Sequence, residues 1–114
     1  ANTFKVITKA GVTSADVIYT VAGSTTTVIL GLILGNTTSS SINATVTLGT
    51  DTGNRSGANN ETNQDVELIT TTPIPGNSSL ELLAGNKVVM ETTDTLSVTG
   101  SGAVDVALSV MEIT

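Results

Sequence analysis

The chain has 114 residues, enough for one domain with a single packed core. Ten carboxylates against four basic residues give a net charge of −6, so we expect no nucleic-acid partner, because a phosphate backbone would be repelled. The sequence contains neither histidine nor cysteine, which excludes imidazole-based catalytic triads, thiolate metal sites and disulfides.

Phe4 and Tyr19 are the only aromatic residues. The core must therefore be built from Val, Ile, Leu and Thr, whose β-branched members favour sheet over helix. So few aromatic rings also argue against stacking platforms for bases or sugars. We expect no cofactor.

Segments in which apolar and polar residues alternate recur about every ten residues, separated by Gly, Asn, Ser and Pro. The predicted strands span residues 4–8, 16–22, 26–35, 42–50, 65–71, 79–84, 87–91, 94–99 and 103–113. This spacing predicts an all-β protein, with residues 1–114 forming one antiparallel β-sandwich of about eight or nine short strands. The connections are expected to be jelly-roll or immunoglobulin-like.

No secretion signal is expected in the first residues, ANTFKVITK, because no basic region leads into an apolar stretch. The most apolar segment is TTVILGLILGN, residues 26–36. Its unbroken apolar run is far shorter than the roughly 20 residues that span a bilayer, so we expect a soluble protein with no membrane partner.

Alternation along this segment predicts two apolar faces. The face predicted to point into the core carries Val28, Leu30, Leu32 and Leu34. The opposite face is the candidate subunit interface and carries Ile29, Gly31, Ile33 and Gly35. A strand with one wet face should alternate with polar residues, so a second apolar face needs a cover, either within the domain or from another subunit.

Other segments give clear local predictions. The apolar residues of 42–50 and 103–113 alternate cleanly, but the pattern in the latter slips at Val110–Met111, which indicates a β-bulge or a change of environment. Residues 73–77, PIPGN, cannot lie in a central strand and should form an edge connection. Residues 84–86, AGN, predict a hairpin between two short strands.

One long polar loop spans residues 51–64, and a loop of this length is usually functional or disordered. Its largest apolar residue is Ala58, so we expect it to project into solvent or to touch a neighbour. The candidate contact residues are Asp51, Asn54, Arg55, Asn59, Asn60 and Glu61. An EF-hand is excluded because Gly53 and Arg55 occupy ligand positions, which leaves a calcium site of another type open.

Paired carboxylates are the remaining candidates for chemistry. Glu91 and Asp94 are close in sequence, and Glu67 and Glu81 lie on separate predicted strands. A glycosidase needs two carboxyl groups facing each other across a cleft, whereas these alternate with apolar residues as solvent-facing strand positions do. We assign no catalytic residue and expect no enzyme activity.

Together the segments resemble small β-rich virion proteins of tailed bacteriophages, particularly those of marine cyanobacteria. The resemblance lies in YTVA at 19–22 with TTTVILGL at 25–32, in PIPGNSSLELLAGNKVVME at 73–91 with TDTLSVT at 93–99, and in VALSVMEIT at 106–114. It covers nearly the whole chain except the 51–64 loop and consists of strand and turn patterns.

The resemblance implies a non-enzymatic structural protein located on the virion and made in the host cytoplasm. The favoured function is a capsid decoration, or cement, protein that binds the assembled head, with the major capsid protein as partner and a homo-oligomer as its state. The alternatives are a neck, tail, baseplate or fibre accessory protein, or an adhesin-like module that binds the host through the 51–64 loop.

Overall fold

A computed structural model describes residues 1–114 and contains nine strands and one 3-10 turn. The strands are β1 (Asn2–Val12), β2 (Asp16–Thr20), β3 (Thr26–Asn36), β4 (Ile42–Gly49), β5 (Val66–Ile74), β6 (Ser78–Leu82), β7 (Val88–Met90), β8 (Thr95–Gly100) and β9 (Val104–Ile113). The 3-10 turn spans Thr52–Asn54. All nine predicted strands are present. The fold contains no helix with the length and hydropathy of a membrane span.

The strands form two antiparallel sheets. The first sheet has the order β1-β9-β3-β6, with β7 also pairing with β3, and the second sheet has the order β2-β8-β4-β5. Every connection passes from one sheet to the other except β4–β5 and β6–β7. This is the connectivity of a jelly roll, so the predicted antiparallel β-sandwich is confirmed.

The core lies between the sheets and is almost entirely aliphatic. It contains 18 buried apolar residues. The largest contributions come from β4, with Ile42, Ala44, Val46 and Leu48, and from β9, with Val104, Val106, Leu108 and Val110. These two strands alternate as their sequences predict, because one side of each is buried and the other faces out.

Strand β3 contains one residue more than its partner. Ile29 pairs with Val110 and Gly31 pairs with Ser109, so Leu30 is left without a partner on β9. Such a β-bulge shifts the alternation of side chains by one residue. The buried residues of β3 are therefore Thr27 and Ile29 before the bulge, and Leu32, Leu34 and Asn36 after it.

The bulge corrects the predicted faces of this strand. Leu32 and Leu34 point into the core as predicted, but Val28 and Leu30 are only half-buried. Ile29 was predicted on the opposite face and is instead fully buried, with 0% exposure. Its assignment to the candidate subunit interface is therefore wrong.

The β-bulge predicted near Val110–Met111 is absent from β9, and the bulge lies instead in the neighbouring strand β3. Strand β9 keeps a continuous register with β1 from Ile113 to Val106 and contains no bulge there. Met111 and Ile113 simply continue the outward-facing set of β9. The slip in the apolar pattern thus reflects an outer face that becomes apolar, and the bulge belongs to β3.

The predicted hairpin at residues 84–86 is also wrong. Strands β6 and β7 do not pair with each other, since both run antiparallel to β3. Strand β6 pairs with Leu32–Asn36 and β7 with Thr27–Ile29, so they are two parts of one interrupted edge strand. The interruption lies beside the bulge in β3.

The proline-containing segment 73–77 begins inside a strand. Pro73 lies in β5 and pairs with Asn43, and β5 is an edge strand of the second sheet. An edge strand tolerates proline because its outer side needs no ladder donor. Nearby, buried Asn36 donates from Nδ2 to the carbonyl oxygens of Ile74 at 2.9 Å and Ser40 at 2.8 Å, which closes this end of the core.

The bulge predicts different effects for the same substitution at two positions of β3. Ile29→Ala removes a fully buried side chain and should lower the free energy of unfolding by about 2–5 kcal/mol. Ile33→Ala, at 46% exposure, should cost less than about 1 kcal/mol. Urea denaturation of both variants at low protein concentration measures the difference, and equal losses would contradict the assigned phase of β3.

Candidate interaction surface

The outer faces of the two sheets have different chemistry. On the second sheet, the outward positions of β4 and β8 alternate with buried residues and carry hydroxyl groups. Thr45 pairs with Thr99 and Thr47 pairs with Ser97 across the two strands. We call this surface, made of Thr45, Thr47, Thr95, Ser97 and Thr99, the hydroxyl face. Its hydroxyl groups can form hydrogen bonds to water and carry no charge.

The outer side of the first sheet is apolar. One row crosses four strands at matching register, because Phe4 pairs with Met111, Met111 with Val28, and Val28 with Val89. Phe4, the only phenylalanine, is 71% exposed, and Val89 is 58% exposed. Large apolar side chains in one contiguous row on a surface usually mark a binding site.

The rows beside this one extend the surface with small and aliphatic residues. Val6 lies opposite Ser109, which lies opposite Gly31, and Ile33 lies opposite Ala107. A Cβ added to Gly31 would have no atom within 4 Å, so the surface above it is open. We call the whole surface the apolar face. It comprises Phe4, Val6, Val28, Gly31, Ile33, Val89, Ala107, Ser109 and Met111.

Charge is confined to one end of the apolar face. Glu81 lies opposite Ile33, and Asp105 lies opposite Gly35. The Asp105 carboxylate already accepts a hydrogen bond from the backbone N–H of Gly11 at 3.0 Å. The rows through Phe4 and Val6 carry no ionisable side chain, although the chain as a whole has a net charge of −6.

Three of the four predicted interface residues lie on this outer side. Gly31 and Ile33 belong to the apolar face, Gly35 lies at its charged end, and Ile29 is in the core. The sequence prediction missed Phe4, Met111 and Val89, which other strands contribute. Their common signal, apolar residues at the outward positions of predicted strands, becomes readable only when the register between strands is known.

The predicted contact loop does not project freely. Asn54 donates from Nδ2 to the carbonyl oxygen of Thr92 at 2.8 Å and to the hydroxyl of Thr93. Arg55 donates to Asp94 and Glu91, so the start of the loop is held against the turn that precedes β8. The expected projection into solvent therefore holds only for the later part of the loop.

We call Arg55 together with Asp94 and Glu91 the Arg55 clamp. It contains the one deeply buried charge, the carboxylate of Asp94. Nη2 of Arg55 lies 2.6 Å from Oδ2 of Asp94, whose side chain is 0% exposed, and its Nη1 lies 3.2 Å from Oε2 of Glu91. Burial by itself lowers the pKa of Arg55, but the hydrogen bonds and charges of Asp94 and Glu91 outweigh it and raise that pKa. Oδ1 of Asp94 has no partner, so the carboxylate depends on Arg55 for its counter-charge.

The other predicted loop residues differ in the hydrogen bonds that they form. Asp51 caps the 3-10 turn by accepting from the N–H of Gly53 at 2.9 Å, and Asn59 donates to Asn63 at 2.8 Å. Asn60 and Glu61 are exposed. No group of three acidic side chains comes together as a metal site, and no pocket indents the surface.

A second polar cluster lies where the sandwich opens near the start of β3. The hydroxyl of Tyr19 donates to Oε2 of Glu112 at 2.5 Å and lies 2.7 Å from that of Thr27, while Lys5 lies 2.8 Å from Oε1 of Glu112. Burial and then the bond to Glu112 raise the pKa of Tyr19 to about 12. The bonds from Lys5 and Tyr19 lower the pKa of Glu112. The four side chains of this cluster thus satisfy one another's hydrogen bonds and charges.

Comparison with known proteins gives one structural similarity. No protein-family model matches the chain, and no curated protein matches it. Among solved structures, it is similar to a chain from Bacillus endospore appendages, a family of disulfide-linked pili, with a TM-score of 0.48 and 15% identity. The similarity covers 100% of this chain and 87% of that chain.

The clamp predicts a large effect of removing one cation. Arg55→Ala leaves the buried Asp94 carboxylate without a counter-charge and should lower the free energy of unfolding by about 3 kcal/mol. Residues 51–64 should also become more sensitive to limited proteolysis. The matched control is Lys87→Ala, which removes a cation that forms no ion pair and should change stability by less than about 0.5 kcal/mol. Equal effects of the two substitutions would contradict the clamp.

Because Tyr19 is the only tyrosine and the chain has no tryptophan, phenolate absorbance reports on this one group. Its titration midpoint should lie near 12 rather than 10.0. The raised pKa means that the protonated phenol stabilises the fold fully below pH 10 and that this contribution is lost as pH rises through 12.

Glu112→Gln is the matching variant for this titration. It removes the neighbouring negative charge, so the Tyr19 midpoint should fall but stay above the ordinary value, because burial remains. Circular dichroism at each pH confirms that the protein is still folded. A midpoint that Glu112→Gln leaves unchanged would show that the two groups do not interact in solution.

Proposed function

We propose that this chain is a non-enzymatic structural protein of a bacteriophage particle, and that it decorates the assembled head. The setting on a phage particle is supported by the resemblance of the strand and turn segments to small virion proteins of tailed phages. A role in assembly is supported by the apolar face, which is the observation that carries the proposal.

The two outer faces suit a protein that assembles with other subunits. The apolar face gains free energy when it is covered, at about 25 cal/mol for each Å² of apolar surface removed from water. The hydroxyl face can stay in water, because its threonines and serines bond to solvent. Such a protein works by burying surface and holding its shape.

The fold gives the rigidity that this role needs. All strands but the edges are paired on both sides, and the polar groups buried at the ends of the core are held by Asn36, by Arg55 and by the Tyr19 cluster. Without disulfides, stability rests on this burial and on the two sheets closing around it. A decoration protein must keep one shape at many equivalent positions, and a closed sandwich does so.

The number of copies per particle tests this proposal. Quantitative mass spectrometry of purified particles should find the chain at a copy number comparable with that of the major capsid protein. Particles made without it should assemble but lose their contents at lower temperature or after milder osmotic shock. A far smaller copy number would move the protein to the neck, tail or fibres, and its absence from particles would overturn the proposal.

A further inference from the structure

We propose that a second copy of this chain covers the apolar face, in a two-fold symmetric dimer formed by the first sheets of two copies packed face to face. The two-fold axis runs parallel to the strands, between β9 and β3. The inference deepens the proposed function, on which its setting in the particle rests, by naming the partner of the apolar face.

The central row of the apolar face is complementary to itself under this axis. The row runs Phe4, Met111, Val28, Val89, with the two larger side chains on β1 and β9 and the two smaller ones on β3 and β7. The axis places Phe4 over Val89 of the second copy and Met111 over Val28 of the second copy. Large residues therefore meet small ones, and each contact occurs twice, as in an isologous interface.

The next rows follow this rule in part. Ile33 faces Ala107 of the second copy, again a large residue over a small one, whereas Ser109 faces Gly31, where two small residues meet and the surface is open. Aligned sheets pack about 10 Å apart at an angle near 30°, which shifts these facing pairs by only a few ångströms near the centre. The central row through Phe4 and the row through Ile33 therefore supply the packed contacts of the interface.

The charge distribution is compatible with a second copy as the partner. Two chains that each carry a net charge of −6 repel each other, and this repulsion is smallest where the contact surface carries no charge. The proposed axis places Asp105 over Gly35 and Glu81 over Thr8 of the second copy. No carboxylate meets another carboxylate, although both residues lie at the border of the face.

The size of the face is adequate for a reversible dimer. The whole outer side of the first sheet, four strands wide at a spacing of about 4.8 Å and about ten residues long along β1, β9 and β3, covers roughly 600 Å² per copy, and the apolar face is its central part. Standard interfaces bury about 800 Å² per partner, and weak, transient ones less. We therefore expect a dimer that forms with rising protein concentration.

Packing face to face also fits the condition of the sheet edge. One edge of the first sheet is β1, where Lys5 and Lys9 pair with Val110 and Val106, whose side chains point inward; the other edge is the interrupted pair β6 and β7. Inward-pointing lysines on an edge strand disfavour its pairing with a strand of another chain. The β1 edge is thus protected against strand addition, while the face beside it is uncharged and apolar.

Cysteine cross-linking tests the proposed axis, since the chain has no native cysteine. Positions 4 and 89 lie three strand spacings apart in one copy, about 14 Å, too far for a disulfide. In the proposed dimer, each lies over the other position of the second copy. Facing positions of two sheets packed about 10 Å apart are also beyond the reach of a direct disulfide, so the double variant Phe4→Cys/Val89→Cys should give a covalent dimer with a short bifunctional thiol cross-linker and not by oxidation alone.

Three controls make the test specific. Either single variant should stay monomeric on a non-reducing gel, because like positions are also about 14 Å apart across the axis. Thr47→Cys, on the hydroxyl face, should not cross-link. Light scattering over a concentration series should show twice the monomer mass for the native chain but only the monomer for Phe4→Asp, with circular dichroism showing that the variant is folded.

A native chain that stays monomeric at high concentration would overturn the dimer, and so would a Phe4→Asp variant that still dimerises. Cross-linking by a single variant as efficient as that by the double variant would overturn the proposed axis. These results concern the isolated protein, whereas the decoration role is tested by the composition of particles. Failure of one is therefore distinguishable from failure of the other.

Discussion

The extra residue in β3 decides which side chains this protein shows to its surroundings. Strand β3 is one of the two interior strands of the first sheet and pairs with β9 on one side and with β6 and β7 on the other. A shift of one residue in such a strand exchanges its inner and outer side chains. By inserting Leu30, the chain buries Ile29 in one half of the strand and Leu32 and Leu34 in the other, and leaves Val28 and Ile33 on the apolar face.

The same insertion lies beside the break in the neighbouring edge. Strand β9 stays paired with both halves of β3, whereas the opposite edge is divided into β6 and β7. Val89 on β7 then completes the row that begins at Phe4 on β1. The apolar face is therefore a product of register in three strand pairs, and no single segment of sequence contains it.

The sequence predicted the strands well and their faces only in part. Alternation in β4 and β9 identifies the buried side because polar and apolar residues differ clearly there. In β3 both parities are apolar, so periodicity has no polar residue by which to detect a one-residue slip. In β1 the inward positions include Lys5 and Lys9, and these charged residues make the inward side of the strand look like the side that faces solvent.

The loop was misjudged for a different reason. Local composition shows a polar stretch without an apolar anchor, which is true of residues 51–64. The anchor is instead electrostatic, formed by Arg55 with Asp94, 39 residues further along the chain. A contact of that sequence separation depends on the path of β5, β6 and β7, and no local pattern predicts it.

The distribution of polar groups in the chain separates the apolar face from the rest of the surface. Its hydroxyl groups cover one sheet, where they need no counter-ions, and its net charge of −6 lies largely away from the apolar face. Repulsion between two copies is therefore weaker across either uncharged sheet face than in other orientations. Of these two faces only the apolar face gains free energy when its side chains are buried, so in the proposed dimer the burial of apolar side chains selects the first sheet as the contact.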